Sequence, residues 1–337
     1  MKRPMLRALS SALFAFTAAS ASSAGLDVGR SEVQEFIAKL RKEHGFYPQD
    51  LVWVLRDAEP QSRIVEIMER PAEGTLPWWQ YRARFLTDER IDGGVAVWKA
   101  NEAALTAIEN STGVPAQYLI AITGVETFYG RITGGYRVLD SLATLAFEYP
   151  RRAEYFRNEL TQFLLLTRDE RLNPRDPKGS YAGAMGIPQF MPSSFRRYAV
   201  DGDGDGHRDL WTYGPDVFAS VAHYFTEHGW RRGEPVLSDA DNAASTDDPA
   251  KAEARLRDTV QSLKARGYQF DTTQPTDAQA MLVPAMLEAG NSWRVGYQNF
   301  YVITRYNRSF LYAMAVSDLA DAIAARYKAV PTAASGE

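Results

Sequence analysis

Glu126 lies in Thr123-Gly124-Val125-Glu126-Thr127-Phe128-Tyr129-Gly130, a single acid near the end of an otherwise apolar helical run. Burial disfavours the charged form of a carboxyl and raises its pKa. A carboxyl kept protonated near neutral pH can give its proton to a leaving oxygen. The same spacing also describes a glutamate on the wet face of an amphipathic helix, the commoner case for a lone acid. A second group is Gly183-Ala184-Met185-Gly186-Ile187-Pro188-Gln189-Phe190-Met191-Pro192. Its glycines let a ligand approach the backbone, its prolines stiffen the turns, and Gln189 offers both donor and acceptor. Taken alone it is equally a structural turn. The sharpest local pattern is Asp201-Gly202-Asp203-Gly204-Asp205-Gly206-His207-Arg208-Asp209. Asp at positions 1, 3 and 5 with Gly at 6 is the calcium loop of an EF-hand, in which position 7, here His207, supplies a backbone carbonyl. Position 12, normally Glu, is Thr212. The closing acid must come from elsewhere, and Asp216 is the nearest downstream. The alternative is a solvated Asp/Gly turn. Arg151 and Arg152 follow Tyr149-Pro150 at a helix start, where the helix dipole does not favour cations. Acids of the fold, or a carboxylate-bearing ligand, would hold them. His44, His207, His223 and His228 lack metalloprotease spacing, and the absence of a Gly-x-Ser-x-Gly elbow argues against serine-hydrolase chemistry.

The elements that carry these groups read mostly as helix. Ser31 and Gln34 have capping-box spacing, followed by Val33, Phe36, Ile37 and Leu40 at helical intervals. A short helix after Pro48 buries Leu51, Val52, Val54 and Leu55. Pro71, Gly74 and Pro77 break the pattern. A helix over 97–110 ends near Gly113, and Pro115 starts the one that carries Leu119, Ile120, Ile122, Val125 and Glu126. Helices follow over 141–147 and 151–167. Residues 173–214 are rich in Gly, Pro, Ser and Asp and read as loops, and a helix over 216–228 is closed by Gly229. The segment 250–267 reads as helix, and 280–283 and 300–304 read as strands. A helical pattern returns over 309–327. The expected division is a leader over 1–24, a helical body over 25–232, a small α+β insert over 233–303, and a segment 304–337 that returns to the body.

The 337 residues carry 38 basic and 42 acidic side chains, a net charge of −4, and no cysteine. That balance argues against a nucleic-acid binder. Without cysteine there are no disulfides, thiolate metal sites, cysteine nucleophiles or cysteine-linked lipid. Lys2, Arg3 and Arg7, then an apolar stretch over 8–19, then Ser22-Ser23-Ala24, match a signal peptide cleaved after Ala24. Losing its three positive charges takes the net charge from −4 to −7. The apolar run is too short to span a bilayer. A soluble, exported protein is expected.

Four blocks taken in order carry a resemblance. They are Gly124-Val125-Glu126-Thr127; Tyr149-Pro150-Arg151-Arg152-Ala153-Glu154-Tyr155-Phe156; Gly183-Ala184-Met185-Gly186 with Gln189-Phe190-Met191-Pro192-Ser193-Ser194; and Phe300-Tyr301-Val302-Ile303-Thr304-Arg305-Tyr306-Asn307. The sequence resembles the lytic murein transglycosylase B family over residues 30–327. The resemblance implies a mainly α (α+β) fold, with a lysozyme-like helical core, a flanking helical domain and a small β-containing insert. It implies cleavage of the β-1,4 bond between N-acetylmuramic acid and N-acetylglucosamine in peptidoglycan, closing a 1,6-anhydro ring instead of adding water. Glu126 matches the single catalytic acid, which then acts as base. Ser180, Gln189, Phe190, Tyr306, Asn307 and Tyr312 would line the groove, with Tyr81 and Tyr224 as sugar-contacting aromatics. Arg151 and Arg152 would hold lactyl or peptide carboxylates of the substrate. Calcium would sit on Asp201, Asp203, Asp205 and His207, with Asp216 as closing acid, and no organic cofactor is implied. The expected setting is periplasmic, as a monomer that is not a lipoprotein. Glycan strands are the partner, and other cell-wall enzymes are candidate partners. The competing readings are a muramidase that uses water on the same fold, and a non-catalytic calcium-dependent wall-binding protein.

Overall fold

The computed structural model describes residues 25–70, 76–242 and 245–329. The expected leader over 1–24 lies outside the described residues. Seven helices lead up to Glu126: α1 (Ser31–His44), α2 (Pro48–Arg56), α3 (Ser62–Glu69), α4 (Trp78–Phe85), α5 (Asp88–Ala100), α6 (Glu102–Thr112) and α7 (Ala116–Thr127). The two-residue strand β1 (Tyr136–Arg137) leads into α8 (Val138–Phe147) and α9 (Ala153–Asp169). Strand β2 (Lys178–Gly179) pairs antiparallel with β1, and α10 (Pro192–Tyr198) and α11 (Pro215–Glu227) follow. Next come β3 (Leu237–Ala240), β4 (Asp258–Thr259), α12 (Val260–Ala265), β5 (Gln279–Pro284) and β6 (Trp293–Gly296). The described chain closes with α13 (Gln298–Tyr306) and α14 (Phe310–Ala329). No helix among the described residues is long and apolar enough to cross a membrane.

The helical body is built around α7 and α8. Every residue of α8 is buried, and in α7 only Gln117 and Glu126 are not. A helix apolar on all sides must be covered on all sides, and α14, α5, α11 and α6 cover α7. Gly113 closes α6 in the left-handed region, at φ 75°. The small sheet is antiparallel with strand order β3-β6-β5-β4. Strand alternation gives it two working faces. Met281 and Val283 join the main core, while Ala280, Leu282, Trp293 and Val295 meet Val260, Leu263 and Tyr268 in a second, smaller core. Phe300, Val302 and Ile303 of α13 belong to the main core.

Several expectations fail for identifiable reasons. The segment 250–267 is not one helix; only Val260–Ala265 is α-helical. From Lys251 to Asp258 exposed and half-buried residues alternate strictly, the signature of extended chain laid on a surface. Residues 300–304 are β-rich in composition yet helical, because Phe300, Ile303 and Thr304 bury one face of α13. The expected helix over 97–110 is split at Asn101, whose side-chain Nδ2 donates to the Val97 carbonyl at 2.9 Å. The Ser31–Gln34 capping box does not form. Arg30 takes the N-cap position, and Gln34 Nε2 donates to the Val28 carbonyl at 2.5 Å.

Candidate active site

Glu126 sits one residue before the end of α7. The residue is half-buried, but its carboxyl is enclosed by protein, and burial pushes its pKa up to about 7. Tyr312 of α14 opposes that shift. Its hydroxyl donates to Glu126 Oε1 at 2.6 Å and favours the ionised form. Among the described residues no other acid contributes to the Glu126 shift. The buried Glu159 of α9 is engaged elsewhere, accepting from Ser193 N at 2.9 Å and Ser193 Oγ at 2.7 Å at the start of α10.

The turn after Glu126 is strained. Phe128 and Tyr129 both adopt left-handed backbone, at φ 51° and 59°, a conformation costing about 1 kcal/mol or more per residue. A clasp holds it. The Tyr129 side chain lies so close to Gly93, Gly94 and Gly124 that an added Cβ would come within 2.9 Å of its ring, 2.7 Å of its hydroxyl and 2.8 Å of its ring, respectively. The Tyr129 hydroxyl donates to the Arg90 carbonyl at 2.6 Å. The Arg90 guanidinium stacks 4.5 Å from the Phe128 ring centre, and its Nε donates to the Gly124 carbonyl at 3.0 Å. Sequence reasoning missed this clasp. Its only trace there is three glycines, Gly93, Gly94 and Gly124, inside helical patterns.

Aromatic side chains continue outward from the acid. Tyr306 stacks nearly parallel to Tyr312, at 6.5 Å and 10°. Its hydroxyl donates to the Pro188 carbonyl at 2.6 Å. Phe190 and Tyr224 lie 5.8 and 4.8 Å from the Tyr306 ring. Burial raises the Tyr306 and Tyr312 phenols well above their usual range, and the Glu126 charge pushes the same way. Tyr81 of α4 feels the Glu126 charge as well and packs 5.1 Å from Phe85. Tyr81, Phe190, Tyr224, Tyr306 and Tyr312 are therefore gathered around Glu126. Phe190 and Tyr224 are only 2% and 8% exposed, and the Tyr224 hydroxyl is spent on the Arg305 carbonyl at 2.7 Å. These two back the site and do not offer a free ring face to a sugar.

The glycine–proline segment is a pinned loop. Gly183, Gly186 and Gln189 take positive φ, and a Cβ on Gly186 would stand 2.4 Å from the Leu210 carbonyl oxygen. Gln189 Nε2 donates to the Gly186 and Thr133 carbonyls at 2.8 and 3.0 Å, while Ser180 Oγ accepts from Ala184 N at 3.0 Å. Thr127 Oγ1 donates to the Ile187 carbonyl at 3.0 Å, which ties the loop to the end of α7 beside Glu126. Asn307 is exposed, and its Oδ1 accepts from Ser309 N at 3.2 Å ahead of α14. Arg151 and Arg152 are exposed in the 3-10 turn before α9. Arg152 stacks 4.4 Å from Tyr155, and no acid among the described residues pairs with either arginine. No direct contact joins them to the aromatic cluster among the described residues.

The aspartate loop is preorganised by its own backbone. Asp201 Oδ1 accepts from Gly204 N at 2.7 Å and Asp205 N at 3.1 Å, and its Oδ2 accepts from Gly206 N at 2.9 Å. Gly204 and Gly206 supply positive φ, at 80° and 92°. One carboxylate oxygen each from Asp201, Asp203 and Asp205 lies within 4.8 Å of the others, a hard oxygen set suited to calcium. Asp216 does not join that group. Buried in the first turn of α11, it accepts from Gly202 N and Asp209 N, both at 2.7 Å, and so clasps the two ends of the loop.

The transglycosylase SLT domain family matches residues 29–321. Membrane-bound lytic murein transglycosylase B of Escherichia coli (strain K12) is 41% identical over 301 residues, which cover 86% of this chain and 82% of that protein. The crystal structure of soluble lytic transglycosylase SltB1 from Pseudomonas aeruginosa superposes with a TM-score of 0.84 at 45% identity, covering 88% of this chain and 99% of that one. The structure of the Escherichia coli lytic transglycosylase Slt35 in complex with calcium gives a TM-score of 0.82 at 41% identity, covering 91% and 97%. The fold is mainly α with a lysozyme-like helical core, as the sequence blocks implied.

Proposed function

The chain belongs to the transglycosylase SLT domain family, and we propose that it is a peptidoglycan lytic transglycosylase that uses Glu126 alone, first as acid and then as base. The observation that carries the assignment is the Glu126 carboxyl itself, enclosed at the end of α7, held by the Tyr312 hydroxyl and raised by burial to about 7. In the proposed reaction, protonated Glu126 gives its proton to the glycosidic oxygen as the bond from the muramyl C1 breaks. The carboxylate then takes the proton of the same sugar's 6-hydroxyl, whose oxygen bonds to C1 and closes the 1,6-anhydro ring. No water is consumed. The Tyr312 hydroxyl steadies the carboxylate between the two steps through its 2.6 Å hydrogen bond.

Around that step, Tyr81 and Tyr306 border the sugar, while the buried Tyr312 holds the acid through its hydroxyl. Ser180, Gln189 and Asn307 supply polar atoms from the loop and the α13–α14 junction, and Phe190 and Tyr224 hold those elements in place. Arg151 and Arg152, without acidic partners among the described residues, take the carboxylates of the muramyl lactyl group or peptide. Asp201, Asp203 and Asp205 with the His207 carbonyl would hold calcium, while Asp216 keeps the loop in shape. A calcium ion there would stiffen the loop that joins α10 to α11. Residues 1–24 direct export to the periplasm, 25–232 form the helical domain and catalytic core, 233–303 the α+β domain, and 304–337 the return to the core.

The test is the mass of the products released from purified sacculi. Anhydro-muropeptides are expected. Products one water heavier would make the enzyme a muramidase, and no release at all would leave only wall binding.

A further inference from the structure

A depression of about 700 Å³ opens between the outer face of α13 and the extended segment 253–256. Tyr301 and Arg305, one helical turn apart on α13, line one side with Arg308 from the α13–α14 junction, and Arg255 lines the other. The Arg305 guanidinium stacks 4.2 Å from the Tyr301 ring centre and donates from Nη2 to Thr304 Oγ1 at 3.0 Å and to the Ala254 carbonyl at 3.3 Å. Its Nε is buried without a hydrogen-bond partner, an uncommon and costly arrangement for a charged donor. Arg308 is exposed and makes no ion pair or hydrogen bond among the described residues. Glu253 is the one acid lining the depression, and it is drawn to Arg257 at 2.7 Å and Arg255 at 3.6 Å. Arg305 and Arg308 thus hold positive charge that the fold leaves unneutralised, in a chain whose net charge is −4.

The depression adjoins the active site. The Arg305 carbonyl accepts from the Tyr224 hydroxyl at 2.7 Å, and the charges of Arg305 and Arg308 both act on that phenol. Tyr306, the next residue, stacks on the Tyr312 that holds Glu126.

We propose that this depression is a second carboxylate subsite, separate from Arg151 and Arg152, which binds an acidic peptide carried by the glycan substrate away from the bond being cut. The Arg305 guanidinium, which no acid among the described residues offsets, lies beside the exposed and unpaired Arg308, and such a pair suits the paired oxygens of a carboxylate. The inference rests on the transglycosylase reading and deepens it.

The experiment compares two substrates, peptide-bearing glycan strands and the same strands stripped of peptide by an amidase. The wild type and Arg308→Gln are assayed on both, with Arg305→Lys as a variant that keeps the charge but loses the fork. Arg308→Gln is expected to lower kcat/KM on peptide-bearing strands roughly fivefold to tenfold, through KM, and to change it less than twofold on stripped strands. Arg305→Lys should show the same selectivity. Titration of the wild type with the isolated stem peptide should give saturable binding that Arg308→Gln weakens by a similar factor. Equal losses on both substrates, or no loss on either, would overturn the subsite. Failure of the wild type to cut either substrate would instead overturn the transglycosylase reading.

Discussion

Glu126 and Asp201 carry the same functional group and are driven in opposite directions. At the end of α7, the enclosed carboxyl receives one hydrogen bond, from Tyr312, and burial prevails, so its pKa rises to about 7. In the 201–209 loop, the backbone amides of Gly206, Gly204 and Asp205 hold Asp201 below the ordinary carboxylate range. One environment makes a proton donor and the other a permanently charged oxygen ligand. Solvent exposure and the supply of N–H donors decide the outcome, not residue type. The supporting structure differs in the same way. The loop organises itself through contacts a few residues apart, whereas the acid depends on Tyr312, 186 positions away, and on the Arg90–Tyr129 clasp.

The widest separation between the two regions should appear on Glu126→Gln. Release of soluble fragments from sacculi should fall roughly a thousandfold or more, while Asp201→Asn leaves turnover by folded enzyme nearly unchanged. Stability should move the other way. A carboxyl whose folded pKa is raised favours the folded state while protonated, and that contribution is lost as pH climbs from its unfolded value near 4.5 through about 7. Glu126→Gln should therefore melt a few degrees above the wild type at pH 8 and close to it at pH 4.

Releasing the clasp tests whether position matters as well as burial. Arg90→Met removes the hydrogen bond to the Gly124 carbonyl and the stack on Phe128. We expect kcat to fall about tenfold with KM within twofold, measured on a soluble glycan oligomer. An equal change in KM would assign Arg90 to binding.

The pH profile gives a smaller but more specific effect. The reaction needs protonated Glu126, so kcat/KM should decline above pH 7. Tyr312→Phe removes the hydrogen bond that favours the carboxylate, and the alkaline limb should shift upward by up to about one pH unit. A downward shift would contradict the role assigned to Tyr312. The smallest effect belongs to the loop. Calcium should raise Tm by a few degrees over chelated protein, and Asp201→Asn should abolish that difference. An identical Tm with and without calcium would remove the metal from the account.

These contrasts match what could be read from the sequence. The aspartate loop was legible because its ligands, glycines and turns are consecutive residues. So were α7, α11 and α14, whose periodicity and punctuation are local. Glu126 stood out only through the ordered blocks around it, because nothing in Thr123–Gly130 says whether the helix end is covered. The phenol of Tyr312, the guanidinium of Arg90 and the clasp by Asp216 are tertiary facts with no local signal. The errors have the same origin. Residues 300–304 look β-rich until the core claims one face of α13, and residues 250–258 look helical until alternating burial lays them flat on the body.

The most direct measurement is the titration of the Glu126 side chain by carbon-detected NMR, with Glu126→Gln identifying the resonance. A midpoint near 7, lying higher still in Tyr312→Phe, is the predicted result. A midpoint near the ordinary 4.5 would mean that the carboxyl is ionised at neutral pH, and would contradict its role as the proton donor.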